Sequence, residues 1–480
     1  MVLKRSLILC SLGLMVLTPL WADASNTPAA AKPRTWKQAL QAAHAFNPRI
    51  KIAEAAVKIE KDKKRQAQGE WVPTARGTAS YGVNKKTYDK PVENPRYTDT
   101  LGKPSDFGVA AEQNLFASFG SVARWQKTEA GYQAALLDLE AAESAVFFDL
   151  MQVILEMIVS RELKTFYESN ITLSQTLLAQ TRARARVGEI SRTDVFMAEA
   201  KLAESEAKYV EAESRLTVAK TQFYEITGTE PSEDFSWPDL PIKIPENEQE
   251  LIKLALHQNF SIKAEAFREK SARKEVQSQL SNQMLPSVDL QARAYKSTDN
   301  TKYYSEPRTE HYKDRSVDLS GTLSLKVPIP LGKEQAVVRQ AEQTFNQSRL
   351  KRQQTQLNVY QATLQARNQQ KAAQKSVMRY EIELKANKKA LDAMQAEYAH
   401  GGRTFINVSE IQNRKESSYQ NWTEARKREM IERLRILSLT GQLTARSLKL
   451  DVPSHDARSY GPWIRLAPKV SAPVLLTRGG

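Results

Sequence analysis

The side chains able to do covalent or metal chemistry are few in this sequence. The 480-residue chain has five histidines and one cysteine. Catalytic and metal sites place such residues at set spacings, as in the H-E-x-x-H helix or the G-x-S-x-G turn. The histidines show no such spacing, and they stand at His44, His257, His311, His400 and His455. We therefore predict no enzyme activity, no cofactor and no metal site.

The N-terminus has the pattern of an export signal. Lys4 and Arg5 precede the apolar run Ser6–Leu20, and the small residues Ala22 and Ala24 suit a cleavage site. A retained anchor would need about 20 apolar residues. We predict that residues 1–24 are a signal peptide, which also removes the only cysteine, Cys10.

The charge balance is strongly basic, with a formal net charge of +15. Such an excess attracts nucleic acid, anionic lipid or acidic partners. Export would remove the protein from the compartment that holds nucleic acid. We therefore expect lipid headgroups or acidic partners, and no nucleic acid.

The sequence contains an internal repeat. Several residues recur at an offset of about 213, and they include Asn47 with Asn259, Pro73 with Pro286, Gly108 with Gly321, Gly188 with Gly401, and Gly228 with Gly441. A fixed offset indicates duplication. We predict a first repeat over 25–234, a second over 235–450, and an irregular tail over 451–480 rich in proline.

Each repeat is predicted to contain a helix, a strand pair and a long helical hairpin. The first helix is expected over Lys37–Gln68, the strand pairs over about 73–116 and 286–328, and the hairpins over about 120–228 and 333–441. Apolar and small residues spaced three and four apart predict coiled-coil packing of the returning helix of the first hairpin; they are Val195, Ala198, Leu202, Ser205, Tyr209, Ala212, Leu216, Ala219, Phe223 and Ile226.

Glycines mark the predicted tips of both hairpins. Gly188 precedes Ser191, and Asp194 follows three residues later in a capping-box-like start. The pair Gly401 and Gly402 precedes Thr404, which is expected to open the second returning helix in the same way.

The strands alternate apolar and polar residues. Val317–Val327 does so over about eleven residues, the length of a tilted strand crossing a bilayer. Lys85–Ser105 and Lys296–Arg315 are polar with aromatics and are predicted to be outward loops. Four strands cannot close a membrane barrel, since the smallest have about eight. Either the strands form an ordinary soluble sheet, or several chains share one barrel.

The combination of these motifs resembles the TolC-like outer-membrane efflux protein family over about Thr35–Leu443. The motifs that carry the resemblance are Trp36–Leu40 with Asn47-Pro48, Pro73 and Pro286, Asn114–Phe116 with Phe119-Gly120, Val327–Gly332, and the tip Val187–Val195 leading into Ala198–Ala200.

The resemblance implies an α+β membrane protein and a homotrimer. Each chain would give four strands to a shared twelve-stranded transmembrane β-barrel in the bacterial outer membrane. Its long antiparallel helical hairpins would join a periplasmic α-barrel. The trimer would be a passive channel that a periplasmic adaptor (membrane fusion) protein and an inner-membrane pump engage. A periplasmic adaptor or a structural coiled-coil protein of an envelope transport system is the alternative.

The resemblance also implies roles for residues at the second tip. Tyr398 and Arg403 stand where a tyrosine and an arginine hold the closed state, and Asn407 and Glu410 where some members ring the constriction with two aspartates. Asn407 departs from that pattern because it has no charge. The tip residues Gly188, Asp194, Gly401 and Gly402 are the expected adaptor-docking positions.

Overall fold

The computed structural model describes residues 32–87, 99–232, 235–240, 242, 244–304 and 309–451. The predicted signal peptide and nearly all of the predicted tail lie outside these residues. The elements within the described ranges are α1 (Trp36–Phe46), α2 (Pro48–Gly69), β1 (Thr74–Tyr81), β2 (Asn84–Thr87), β3 (Asp99–Gly102), β4 (Ser105–Phe116), α3 (Gly120–Arg186), α4 (Arg192–Thr227), α5 (Glu248–Gln258), α6 (Phe260–Met284), β5 (Ser287–Tyr304), β6 (Thr309–Lys326), α7 (Lys333–Ala399) and α8 (Phe405–Leu439).

The segment Lys37–Gln68, predicted as helix, forms two helices, α1 and α2. The helix breaks at Asn47, whose φ of −60° and ψ of 124° are extended. Its side-chain oxygen accepts a hydrogen bond from the Arg49 N–H at 2.9 Å, and Pro48 takes the first helical position. An asparagine N-cap followed by proline is a start signal, because proline lacks the N–H that would continue the preceding helix.

The same asparagine chemistry recurs in the second half of the chain. Asn259 caps α6 through a hydrogen bond from the Ile262 N–H at 3.2 Å, and the break there needs no proline. The Asn47 and Asn259 amide groups also donate to the carbonyls of Ile226 (3.2 Å) and Leu439 (3.0 Å), at the ends of α4 and α8. Each asparagine therefore starts one helix and holds the end of another.

The strands form one antiparallel sheet. In the part of the sheet nearest the helices the order is β1, β4, β5, β6; further out, β3 takes the place of β4 beside β5, and β2 pairs with β3. β5 and β6 pair along their whole length, from Ser287 opposite Lys326 to Tyr304 opposite Thr309.

The loop predictions are corrected by this pairing. Most of Lys296–Arg315 continues β5 and β6, because each residue finds a backbone partner across the hairpin whether or not its side chain is apolar. The segment Lys85–Ser105 likewise contains the short strands β2 and β3, while residues 88–98 lie outside the described ranges. Gly82 and Pro104 stand where the first strand pair is interrupted, with the Gly82 N–H donating to the Pro104 carbonyl at 2.9 Å.

The long helices lie side by side. α3 and α7 have 67 residues each, which corresponds to about 100 Å at 1.5 Å per residue. α3 packs against α4, α7 packs against α8, and α3 also contacts α8. Near the sheet the order is α2, α3, α6, α7. α7 thus lies at one side of these long helices, with α5 packed against its middle, and α2 and α4 lie at the other side.

The predicted heptad seam of α4 faces the chain interior. Every one of its ten positions is buried or half-buried, and Ala198, Ser205, Ala212, Ala219 and Phe223 are fully buried. The largest apolar cluster surrounds the middle of α3 and joins it to α1, α4, α8, the linker after α4 and the residues after α8. No helix in the described ranges is both long and apolar enough to cross a membrane.

Candidate functional site at the hairpin tips

Both hairpin tips turn at a glycine in the left-handed conformation. Gly188 has a φ of +74° and Gly401 a φ of +81°, values that residues with a side chain adopt only at a cost. The Gly188 N–H donates to the Ala185 carbonyl at 3.1 Å, and the Gly402 N–H to the Glu397 carbonyl at 2.9 Å. The turns thereby satisfy carbonyls that the helix ends leave free.

The two returning helices begin with different caps. The Ser191 side chain accepts from the Thr193 N–H at 3.1 Å, and Asp194 lies in the first turn of α4, where a negative charge complements the helix dipole. At α8 the Asn407 side-chain oxygen accepts from the Thr404 N–H at 3.3 Å and from its hydroxyl at 2.7 Å. Asn407 is therefore a capping residue of its own helix.

Tyr398 ties the second tip to the first. Its side chain is 2% exposed, and its hydroxyl lies 2.9 Å from the Thr181 hydroxyl on α3. Thr181 gives its proton to the Leu177 carbonyl at 2.7 Å, so Tyr398 is the donor in the link between α7 and α3.

Arg184 makes a second link between the tips. Its guanidinium donates to the Tyr398 carbonyl at 3.0 Å, lies 5.1 Å from the centre of the Tyr398 ring and pairs with Glu189 at 2.5 Å. The hydrogen bond from Arg184 holds the pKa of Glu189 below its ordinary value. Sequence analysis missed Arg184, although it stands in a run of alternating arginines, Arg182, Arg184 and Arg186, beside the tip glycine.

Among the described residues, Arg403 and Glu410 make only local ion pairs. Arg403 pairs with Glu397 at 2.7 Å, and both side chains are about half exposed. Glu410 pairs with Arg414 one turn along α8 at 2.6 Å, and both side chains are more than half exposed. Exposed pairs of this kind contribute little to stability.

Most of the predicted tip residues line one groove of about 480 Å³ between the tips. Asp194, Tyr398, Gly401, Gly402, Arg403 and Asn407 all border it, together with Arg184 and Glu189. Gly188 and Glu410 lie outside it. The groove rests on a small apolar cluster made by Leu177, Leu178, Ala198, Leu391, Tyr398, Phe405 and Val408. Within the described ranges, no group of acidic, histidine or cysteine side chains is arranged to hold a metal ion.

Comparison with known proteins identifies the family. A sequence model described as "Outer membrane efflux protein" matches residues 39–229 and 251–442. The chain belongs to this family. Its members are outer-membrane channels, not enzymes.

Relatives cover nearly the whole of this efflux protein. "Outer membrane efflux protein BepC" of Brucella suis is 24% identical over 438 residues, which cover 90% of this chain and 91% of BepC. "Outer membrane protein TolC" of Escherichia coli is 24% identical over 430 residues, covering 86% and 83%.

Solved structures share the fold of the efflux protein. The Campylobacter jejuni CmeC outer membrane channel superposes with a TM-score of 0.70 at 13% identity, covering 85% of this chain and 86% of CmeC. The open state of the Neisseria gonorrhoeae MtrE outer membrane channel superposes with a TM-score of 0.67 at 15% identity, covering 86% and 90%.

Proposed function

We propose that this efflux protein is one protomer of a passive homotrimeric channel that exports substrates from the periplasm, or directly from an inner-membrane pump. The channel is gated at its periplasmic helical tips. The observation that carries the proposal is a second heptad row on α4, which nothing in the described part of the chain covers.

The second row of α4 runs beside the seam that faces α3. Its nine positions follow one another at spacings of four and three, and all nine are exposed. They are Phe196, Ala200, Ala203, Ala207, Val210, Ser214, Thr217, Thr221 and Tyr224. Small and apolar residues at heptad spacing are the contact pattern of a second helix. Within the described residues α4 contacts α1, α3 and α8 while this row stays exposed, which supports a partner helix from another molecule.

The opposite side of the chain offers a matching surface. α7 leaves Leu350, Leu357, Met378 and Ile382 at least 58% exposed, and the first three stand at multiples of seven residues. A contact between α4 of one copy and α7 of the next is head-to-tail, and such contacts close into a ring when the rotation allows it. That the ring contains three copies follows from the family resemblance alone.

The sheet supports the same arrangement. Among the described strands β1 pairs only with β4, and β6 only with β5. Almost all of β6 is exposed on both faces, with Leu319 at 80% and Val317 at 68%. An open sheet edge is not stable in lipid, because its backbone groups have no hydrogen-bond partner there. Pairing β1 with β6 of the next copy would give the shared twelve-stranded barrel in outer-membrane lipid.

The tip groove then lies at the periplasmic end of the helices. Tyr398, Arg403, Asn407 and Glu410 would form the gate and constriction, with Tyr398 holding the closed state through Thr181. The turns at Gly188, Asp194, Gly401 and Gly402 would meet a periplasmic adaptor protein attached to the inner-membrane pump.

The test measures membrane location and subunit number. The signal-processed protein is expected in the outer-membrane fraction, with the mass of three chains in detergent. Val210→Glu, which places a charge in the exposed row of α4, is expected to abolish the trimer.

Val218→Glu is the matched control, because Val218 lies on the same helix with 54% exposure against 61% for Val210 but outside the row. A periplasmic monomer, or equal loss of the trimer in both variants, would refute the proposal.

A further inference from the structure

A layer of buried polar side chains crosses the hairpins above the tip cluster. α3, α4 and α8 each contribute two residues, and each of the six is at most 4% exposed. They are Asn170, Ser174, Lys201, Ser205, Gln412 and Glu416. On one side of this layer lies the apolar tip cluster, and on the other an apolar cluster around Tyr167. The layer therefore interrupts the apolar packing of the three helices.

An ion pair inside the layer joins α4 to α8. The Lys201 ammonium lies 3.2 Å from a Glu416 carboxylate oxygen, and both side chains are 4% exposed. It also lies 3.2 Å from the Glu204 carboxylate and donates to the side-chain oxygen of Asn413. Lys208, seven residues further along α4, approaches the other Glu416 oxygen at 2.8 Å and also pairs with Glu204 at 2.6 Å. Burial lowers the pKa of Lys208, but the hydrogen bonds to Glu204 and Glu416 outweigh this and raise it above its ordinary value.

The remaining polar groups of the layer are incompletely paired. Ser174 bonds to Ser205 at 3.2 Å and accepts from the Gln412 amide at 3.2 Å. Within the described residues, both polar atoms of the Asn170 amide and the side-chain oxygen of Gln412 have no hydrogen-bond partner. A buried polar group without a partner costs free energy that exposure to water would recover.

We propose that this polar layer is where α4 parts from α8 when the channel opens. The proposal rests on the gated channel proposed above. A buried ion pair is a poor source of net stability, because desolvation offsets much of its attraction. Parting the helices here hydrates Lys201, Glu416, Asn170 and Gln412, and this hydration offsets the cost of exposing the apolar side chains around them. The closed arrangement is thus held at this level by the ion pairs of Glu416 with Lys201 and Lys208 rather than by apolar packing.

The test compares single-channel open probability in planar lipid bilayers for two variants of the pair. Glu416→Gln keeps the shape but removes the buried countercharge of Lys201 and leaves it only the partly exposed carboxylate of Glu204. Open probability is therefore expected to rise roughly tenfold or more. Lys201→Met combined with Glu416→Leu replaces the pair with apolar side chains and is expected to lower open probability roughly tenfold.

The control is Glu381→Gln, which breaks the exposed Lys385–Glu381 pair on α7. It is expected to leave open probability within about twofold of the unmodified protein.

Outer-membrane location and trimer mass are measured for every variant first. If correctly assembled Glu416→Gln and the double variant both behave like Glu381→Gln, the layer is not the parting point, although the channel proposal stands. If the double variant fails to assemble, the open probability of Glu416→Gln alone tests the proposal. An unmodified protein that forms no channel would overturn both proposals.

Discussion

The middle and the tip of α3 belong to one continuous helix but are packed in opposite ways. The middle belongs to an apolar cluster that also contains residues of α1, α4 and α8. Its members on α3 include four that are at most 1% exposed, namely Phe147, Leu150, Ile154 and Ile158. Towards the tip, a cluster of seven buried residues is separated from the rest by the polar layer. One helix thus packs into a large apolar cluster at one level and into a small cluster, bounded by polar groups, at another.

The largest expected effect tests the middle. Phe147→Ala removes a ring that is fully buried among several helices and is expected to lower the free energy of unfolding by about 3–5 kcal/mol. The measurement is the denaturant midpoint of the helical circular dichroism signal in detergent.

The matched tip variant is Leu391→Ala, in the small cluster. It is expected to move the midpoint less than Phe147→Ala and to increase channel opening instead. An equal shift of the midpoint for the two variants would contradict the inference that the middle of α3 contributes more to stability than the tip.

The second effect concerns a buried carboxyl in the middle region. Glu143 is 5% exposed and accepts from the Ala445 N–H at 2.6 Å, which holds the segment after α8 onto α3. Burial raises the pKa of Glu143 from 4.5 to about 7. Between pH 4.5 and 7 the folded state therefore binds more protons than the unfolded state, and the free energy of unfolding falls as pH rises through this window. The expected loss is on the order of 3 kcal/mol.

Glu143→Gln is expected to remove this pH dependence, because the amide keeps an oxygen for the Ala445 N–H and has no charge to bury. The free energy of unfolding is measured at about pH 4 and about pH 8 for both proteins, on either side of the window. Glu168→Gln, at an exposed position of α3, is the control and should retain the pH dependence. A pH profile unchanged by Glu143→Gln would assign the dependence to other groups.

The smallest effect concerns the tip itself. Tyr398→Phe deletes only the hydroxyl that reaches Thr181 and is expected to weaken closure by about 1 kcal/mol, or roughly fivefold in opening frequency. The unfolding midpoint is expected to stay unchanged, because the ring remains in the tip cluster.

Tyr360→Phe, at an exposed position of the same helix, is the control and should change neither quantity. Arg403→Ser is expected to weaken closure and raise the opening frequency by less than Tyr398→Phe does, because its partner Glu397 lies on the same hairpin and both are exposed. A larger effect of Arg403→Ser would mean that Arg403 makes its main contact with another subunit.

Local sequence determined the features that depend on neighbouring residues. The heptad spacing from Val195 to Ile226 predicted which face of α4 is buried, since a period of about 3.5 residues keeps one stripe towards a partner. Gly188 and Gly401 marked both tips, because few other residues adopt a positive φ there. The alternation in Val317–Val327 identified the strand but underestimated its length.

Tertiary structure decided the features that depend on distant residues. The full extent of β5 and β6 follows from backbone pairing across a hairpin, which no side-chain pattern reports. Tyr398 meets Thr181 across 217 positions of sequence, and Lys201 meets Glu416 across 215. The spacing of Lys201 and Lys208 by seven residues hinted at a shared stripe. Whether that stripe is solvated or buried against Glu416 depends on where α8 lies, and only the packing of the helices sets that position.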